Sequence, residues 1–239
     1  MYYEIREIKS MSLQINLEDG KVEKPKYSEF EGKSFRVLKN GFWGYFVGDV
    51  RDEEGIKRAE RLAVIEGDAD VDEKPFSGKF FYKEKKPFDE VDVEDKIKIL
   101  REIDYHLKEK VISRKIVYIE AVKDVTIRNS SGGEVTFRVP RCGVIMQAFA
   151  KGKTLQFYSD RILKVGGLEV IKKAHEKASE VSEIAVKLSN ADAPPSGMMN
   201  VVMNPSLTGV FIHEAFGHGV EADHVLQNAT VLKLSLIHI

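Results

Sequence analysis

The chain has 239 residues, 43% of them hydrophobic and 31% charged, which is enough apolar material for one large domain or two ordinary ones. Its 37 Lys and Arg against 38 Asp and Glu give a net charge of -1, so no global field draws it to nucleic acid or to an anionic membrane. No apolar run reaches the length of a membrane span and the charged N-terminus lacks a signal peptide's apolar core; with a single cysteine, Cys142, a cytoplasmic location is expected.

Residues 2–48 read as a run of strands, YYEIREIK, MSLQINLE, KVEKPKY, SFRVLK and FWGYFVG. The last two are joined by Asn40-Gly41, a pair that tolerates the positive φ angles of a type I′ hairpin turn. Asp52 precedes a helical stretch with Ile56, Ala59, Ala63 and Leu62 towards one face and Gly67 as its stop. Residues 67–92 form a connector with a short strand near FSGKFFYK. From Val93, the spacing of Ile97, Leu100, Ile103 and Leu107 predicts an amphipathic helix of about four turns.

KIVYIEAVKDVTIRN and EVTFRVP flank Ser130-Ser131-Gly132-Gly133 as a second hairpin, and GVIMQAFA with KTLQFYS predicts two more strands around Lys151-Gly152. Gly166-Gly167 opens a long helix over roughly 168–189, with Val170, Ala174, Ala178, Val181, Ala185 and Leu188 along one side. Asn190 to Gly197, with Pro194-Pro195 at its centre, has the composition of a linker. After it MNVVMNP reads as a strand, Ser206 as a helix N-cap, and LTGVFIHEAFGHG as an apolar helix. The expected class is α+β. Residues 1–190 form antiparallel β-meanders with packed helices, in sub-units of about 1–67 and 93–190. Residues 191–197 are the linker, and 198–233 begin a C-terminal domain with a strand and a helix.

That last helix carries His213-Glu214-Ala215-Phe216-Gly217-His218. Two imidazoles with an adjacent carboxylate form the arrangement of a zinc hydrolase: the histidines bind the metal, the metal brings the pKa of water down to about 7, and the glutamate takes the proton. Glu214 is the base on this reading. At roughly 100° per residue, positions five apart lie about 140° apart on a regular α-helix. A widened or broken turn is therefore expected over residues 216–219, with Gly217 and Gly219 supplying the freedom. Two histidines leave the usual set of three protein ligands incomplete. Glu221, Asp223 and His224 are local candidates; the alternatives are groups that orient the histidines, or a solvated helix face.

The span APPSGMMNVVMNPSLTGVFIHEAFGHGVEAD, with RVLKNGFWGYF near the start, resembles the TldD/PmbA family, also called modulators of DNA gyrase, whose active members carry an HExxxH zinc motif. The resemblance implies that His213 and His218 bind zinc and that Glu214 is the general base of a metallopeptidase acting on small or unfolded peptides. It also implies a third ligand, a cysteine, in a C-terminal domain of which this chain holds the first strand and helix. Cys142 matches the N-terminal part and reads as a buried structural thiol. A dimer is implied, either a homodimer or a heterodimer with a paralogue lacking the motif.

Leu234 to Ile239 looks like translated sequencing adapter, so residues 234–239 are expected to be non-native and the chain as it stands to be an inactive fragment. The competing readings are a non-catalytic binding or regulatory subunit, and a closed structural zinc site with a fourth protein ligand. His106 and His175 read as surface histidines, and Trp43 with its aromatic neighbours as strand packing.

Overall fold

Every second residue of Ile116, Tyr118, Glu120 and Val122 is buried, as it is through Cys142, Val144, Met146, Ala148 and Ala150. This period of two defines one covered face of a sheet. The computed structural model describes residues 1–71, 75–108 and 110–232, and the chain divides into two units, Met1–Ala191 and Asp192–Ile239.

The strands of the first unit are β1 (Tyr2–Glu18), β2 (Lys21–Val22), β3 (Lys26–Lys39), β4 (Phe42–Val47), β5 (Gly78–Phe81), β6 (Ser113–Asn129), β7 (Glu134–Lys151) and β8 (Leu155–Val165). Its helices are α1 (Asp52–Glu60), α2 (Val93–Leu107) and α3 (Ala174–Asn190). All the strands belong to one sheet of order β4-β3-β1-β6-β7-β5, with β2 on β1 and β8 on β7. Among the described residues only the β5–β7 pairing is parallel. The β1–β6 pairing runs from Glu4↔Asn129 to Glu18↔Lys115, so residues before 67 and after 93 share a single sheet.

Several strands are longer than the local pattern predicts. YYEIREIK and MSLQINLE are one strand of 17 residues, KYSEFEGKSFRVLK is continuous, and EVTFRVP runs without a break into GVIMQAFA as β7. Pairing to long neighbours on both sides supplies the backbone partners that carry a strand through polar positions such as Ser10. The Asn40-Gly41 turn has φ of 51° and 70°, and Asp19-Gly20 has 48° and 79°, so both hairpins use left-handed pairs.

The covered face packs against α2 through Leu100, Ile103 and Leu107, and against α3 through Ala174, Ala178, Val181 and Ala185. Each large aliphatic residue fully buried there contributes about 2 kcal/mol. A second core of Ile5, Phe35, Val37 and Ala59 lies under α1. Two glycines permit that contact: an added Cβ would lie 2.0 Å from the Ala59 carbonyl oxygen at Gly44 and 2.4 Å from the Phe35 ring at Gly55. Helix α1 ends at Glu60 rather than near Gly67, because the following chain is drawn to the β3–β4 turn: the Gly67 and Ala69 N–H groups donate to the carbonyls of Asn40 and Gly41 at 3.0 and 2.9 Å.

The helix expected from residue 168 begins instead as a 3-10 turn, Leu168–Ile171, with α3 proper starting at Ala174. The Glu169 side chain explains the break, since its carboxylate accepts from the backbone N–H groups of Gly167, Lys85 and Lys86 at 3.0, 3.3 and 3.0 Å. This clasp ties the connector to the turn.

The second unit holds α4 (Pro205–Ile212) and α5 (Ala222–Leu226). The strand expected at MNVVMNP is absent; among the described residues nothing pairs with it, and Val201 and Val202 are exposed. An extended segment without a partner strand has no ladder to join. The N-cap of α4 is Asn204, not Ser206: its side-chain oxygen accepts from the Leu207 N–H at 2.8 Å, and Pro205 occupies the first turn. The tail 234–239 lies outside the described residues. No described helix is long and apolar enough to cross a membrane.

Candidate metal centre

Pro205 sits in the first turn of α4, where it is tolerated, and the interior Gly209 does not stop the helix, whose backbone passes directly into the histidines. His213 still has right-handed helical angles, φ -58° and ψ -51°. From there the winding changes. Residues His213–Gly217 form a π-helical turn, and the His218 N–H donates to the carbonyl of His213, five residues back. A 3-10 turn, His218–Val220, follows and ends at Glu221, whose extended angles of -64° and 136° break the helix before α5.

A wider turn adds a residue per revolution and so compensates the 140° offset that five residues acquire on an α-helix. The rings of His213 and His218 meet edge to face with centroids 4.8 Å apart. The distortion starts at His213, earlier than residue 216. It does not need glycine: Gly217 has φ -54° and ψ -55°, which any residue adopts, and a Cβ there would meet the His213 ring at an ordinary 3.8 Å. Gly219 is not in the left-handed region either.

His213, Glu214 and His218 each bring one ligand atom within 4.8 Å of the others. Glu214 Oε2 stands 3.6 Å from His218 Nε2, and these two side chains are 64% and 46% accessible in this chain. The other nitrogen of His218 is engaged: Nδ1 lies 2.8 Å from Glu221 Oε1. In the tautomer that donates from Nδ1 to this carboxylate, the Nε2 lone pair is left for a metal. Two imidazoles and a carboxylate suit zinc, a borderline-soft ion that takes N and O donors.

Glu221, Asp223 and His224 form a second group with ligand atoms within 4.8 Å of one another. Within it, His224 Nδ1 contacts the carbonyl oxygen of His218 at 2.7 Å, and Asp223 accepts from the His224 N–H at 2.9 Å. Thr230, which sequence reasoning passed over, donates its hydroxyl to the Gly219 carbonyl at 2.6 Å and so holds the end of the turn. No periodicity announces that bond. His106 and His175, expected as surface histidines, are half-buried neighbours with ring centroids 5.4 Å apart between α2 and α3.

Cys142 is buried on β7 in the first unit, with Sγ 3.8 Å from the Tyr118 hydroxyl. Burial pushes its thiol up to about 12, so it is neither a thiolate nor a ready ligand.

Three regions match models of one family: residues 3–65 the PmbA/TldA metallopeptidase domain 1, residues 86–189 the central domain, and residues 196–237 the C-terminal domain. The chain is 47% identical over 232 residues to a metalloprotease of Archaeoglobus fulgidus, covering 97% of this chain and 55% of that one. It is 30% identical over 240 residues to a metalloprotease of Methanothermobacter thermautotrophicus, covering 97% and 53%. It thus spans about half the length of the curated relatives it matches. In structure it is similar to a proposed modulator of DNA gyrase from Bacteroides thetaiotaomicron, with a TM-score of 0.76 and 16% identity over 97% of this chain and 56% of that one. The matches to the central and C-terminal metallopeptidase domain models place the chain in a metallopeptidase family. It belongs to the TldD/PmbA family.

Proposed function

We propose that the His213–His218 turn is the zinc-binding and catalytic element of a peptidase that hydrolyses small or unfolded peptides. The observation that carries this reading is the π turn, which brings both imidazoles to one side of the chain beside Glu214. His213 and His218 hold the metal. When bound, zinc supplies Lewis acidity, polarising a peptide carbonyl and acidifying water.

Glu214 takes up the proton of the attacking water on its carboxylate and delivers it to the departing amide nitrogen. Its exposure leaves room for both reactants. Glu221 positions His218 by accepting the Nδ1 proton, and Asp223 and His224 brace the turn behind it. A cytoplasmic protein acting as a homodimer, or as a heterodimer with a paralogue, is the assembly the family resemblance implies.

The test uses the protein at the full length of its relatives. Wild type is expected to bind one zinc per chain and cleave an unstructured peptide. Glu214→Gln should retain zinc and lose cleavage by about 10²–10⁴-fold, whereas Glu221→Leu should weaken zinc binding by about 10–100-fold. Zinc-free wild type, or undiminished cleavage by Glu214→Gln, would sink the proposal and favour a non-catalytic binding subunit.

A further inference from the structure

A cavity of about 360 Å³ lies in the first unit between the covered sheet face and the connector at residues 84–92. Its walls are apolar, with Leu13, Phe88, Val91 and Val122 among them. Its floor is not. Lys96 Nζ donates to Glu120 Oε1 at 2.8 Å, with side chains only 5% and 11% accessible, and the Tyr118 hydroxyl donates to the other oxygen at 2.5 Å. The ammonium is thereby neutralised in place, while the carboxylate, which offers about four acceptor positions, has two in use.

The mouth is anionic. Glu29, Glu84, Asp89 and Asp92 line it, and among the described residues none of them has an ion-pair partner. The one other cation on the lining, Arg138, is held by Asp124 at 3.0 Å. The connector is fixed by the Glu169 clasp and by the Leu168 N–H, which donates to the Lys86 carbonyl at 2.9 Å, so the space is preformed. Its volume falls at the lower end of the roughly 300–1,000 Å³ typical of small-molecule sites.

We propose that this cavity binds a primary ammonium carried on an apolar body, such as the amino terminus of a short peptide whose first side chain is aliphatic. The ammonium donates to Glu120 and lies within the field of the four mouth carboxylates. The aliphatic part packs on Phe88 and Leu13. Anions are turned away by the same four charges. A quaternary ammonium lacks the N–H donors that the floor carboxylate needs. All residues lining the cavity belong to the first unit.

Titration calorimetry on the full chain tests it with three probes: leucyl-leucinamide, 3-methylbutylamine and N-acetyl-leucyl-leucinamide. The two ammonium probes are expected to bind, and acetylation to weaken the peptide on the order of tenfold or more. Glu29→Gln/Asp89→Asn, at two exposed positions that do not burden folding, should weaken both ammonium probes and flatten their salt dependence. Tighter binding of the peptide amide than of the simple amine identifies a peptide terminus as the ligand, and equal binding identifies a free amine. Equal binding of the acetylated probe overturns the proposal. So does failure of both ammonium probes, or undiminished binding in Val122→Trp, which fills the cavity, once circular dichroism shows that variant folded.

Discussion

Replacing Lys96 by Met should destabilise the first unit sharply. The ammonium and its Glu120 partner have 5% and 11% of their side-chain surface accessible, so removing the ammonium leaves a largely buried carboxylate without its counter-charge. Methionine fills a similar volume, but it leaves the carboxylate with only the Tyr118 hydroxyl for support. Breaking a buried pair by removing one partner costs about 3–5 kcal/mol. For a chain of this size, that lowers the melting temperature by roughly 10 °C. The double variant Lys96→Met/Glu120→Gln keeps an acceptor for Tyr118 and removes both charges, and it should recover most of the loss, to within about 1.5 kcal/mol of wild type. Urea unfolding of wild type, both single variants and the double closes the cycle, with changes read from midpoints at constant slope. A Lys96→Met loss below about 1 kcal/mol would refute the argument. So would a double variant as unstable as the sum of the singles.

Cys142 offers a second measurement. Because burial lifts its thiol to about 12, a disulfide reagent at pH 8 should label it only as fast as the first unit opens, and fully in urea. Rapid labelling under native conditions would place the thiol at the surface. Glu169 supplies a third. Burial alone would raise its carboxyl, but the N–H groups of Gly167, Glu169, Lys85 and Lys86 together outweigh that and hold it below its ordinary value. A depressed folded-state value means stability that is present above the ordinary carboxylate range, about 4.3, and lost as the pH falls through the lower one. The difference in stability between wild type and Glu169→Gln should therefore be largest near neutrality and shrink in acid. A difference independent of pH would show that the clasp does not depend on its charge.

Much of the fold could be read from alternation and helical spacing. The hairpin at Asn40-Gly41, the helix from Val93 and the Ala174, Ala178, Val181 and Ala185 side of α3 appear where those signals put them, whereas Leu188, expected on the same side, is exposed. What the patterns missed is set by pairing partners. A polar Ser10 looks like a break until two long neighbours supply its backbone bonds, and MNVVMNP looks like a strand although no described strand lies beside it. The start of α3 was hidden for a related reason. Glu169 reads as one more helical residue, yet its side chain accepts from the backbone N–H groups of Gly167, Lys85 and Lys86, the last two more than 80 residues away in sequence.

At the candidate site, the adjacent residue types singled out two histidines and a glutamate, which the structure brings within 4.8 Å of one another, and the mismatch between five-residue spacing and the α-helical period pointed to an irregular turn. Its type and origin were not visible. Glycine content suggested flexibility, whereas Gly217 adopts angles open to any side chain. The bonds that fix the turn, from Glu221, His224 and Thr230, depend on the path of the chain after Val220.

The π turn also bears on how such a motif can vary. A single residue inserted into an α-helix produces this kind of widening. His213 and His218 can therefore be viewed as a four-apart pair separated by one additional residue that the helix has absorbed. Spacing and winding are then a single heritable character. Loss of one residue between Glu214 and His218 would restore both the ordinary turn and the ordinary interval, whereas altering either alone would pull the imidazoles apart.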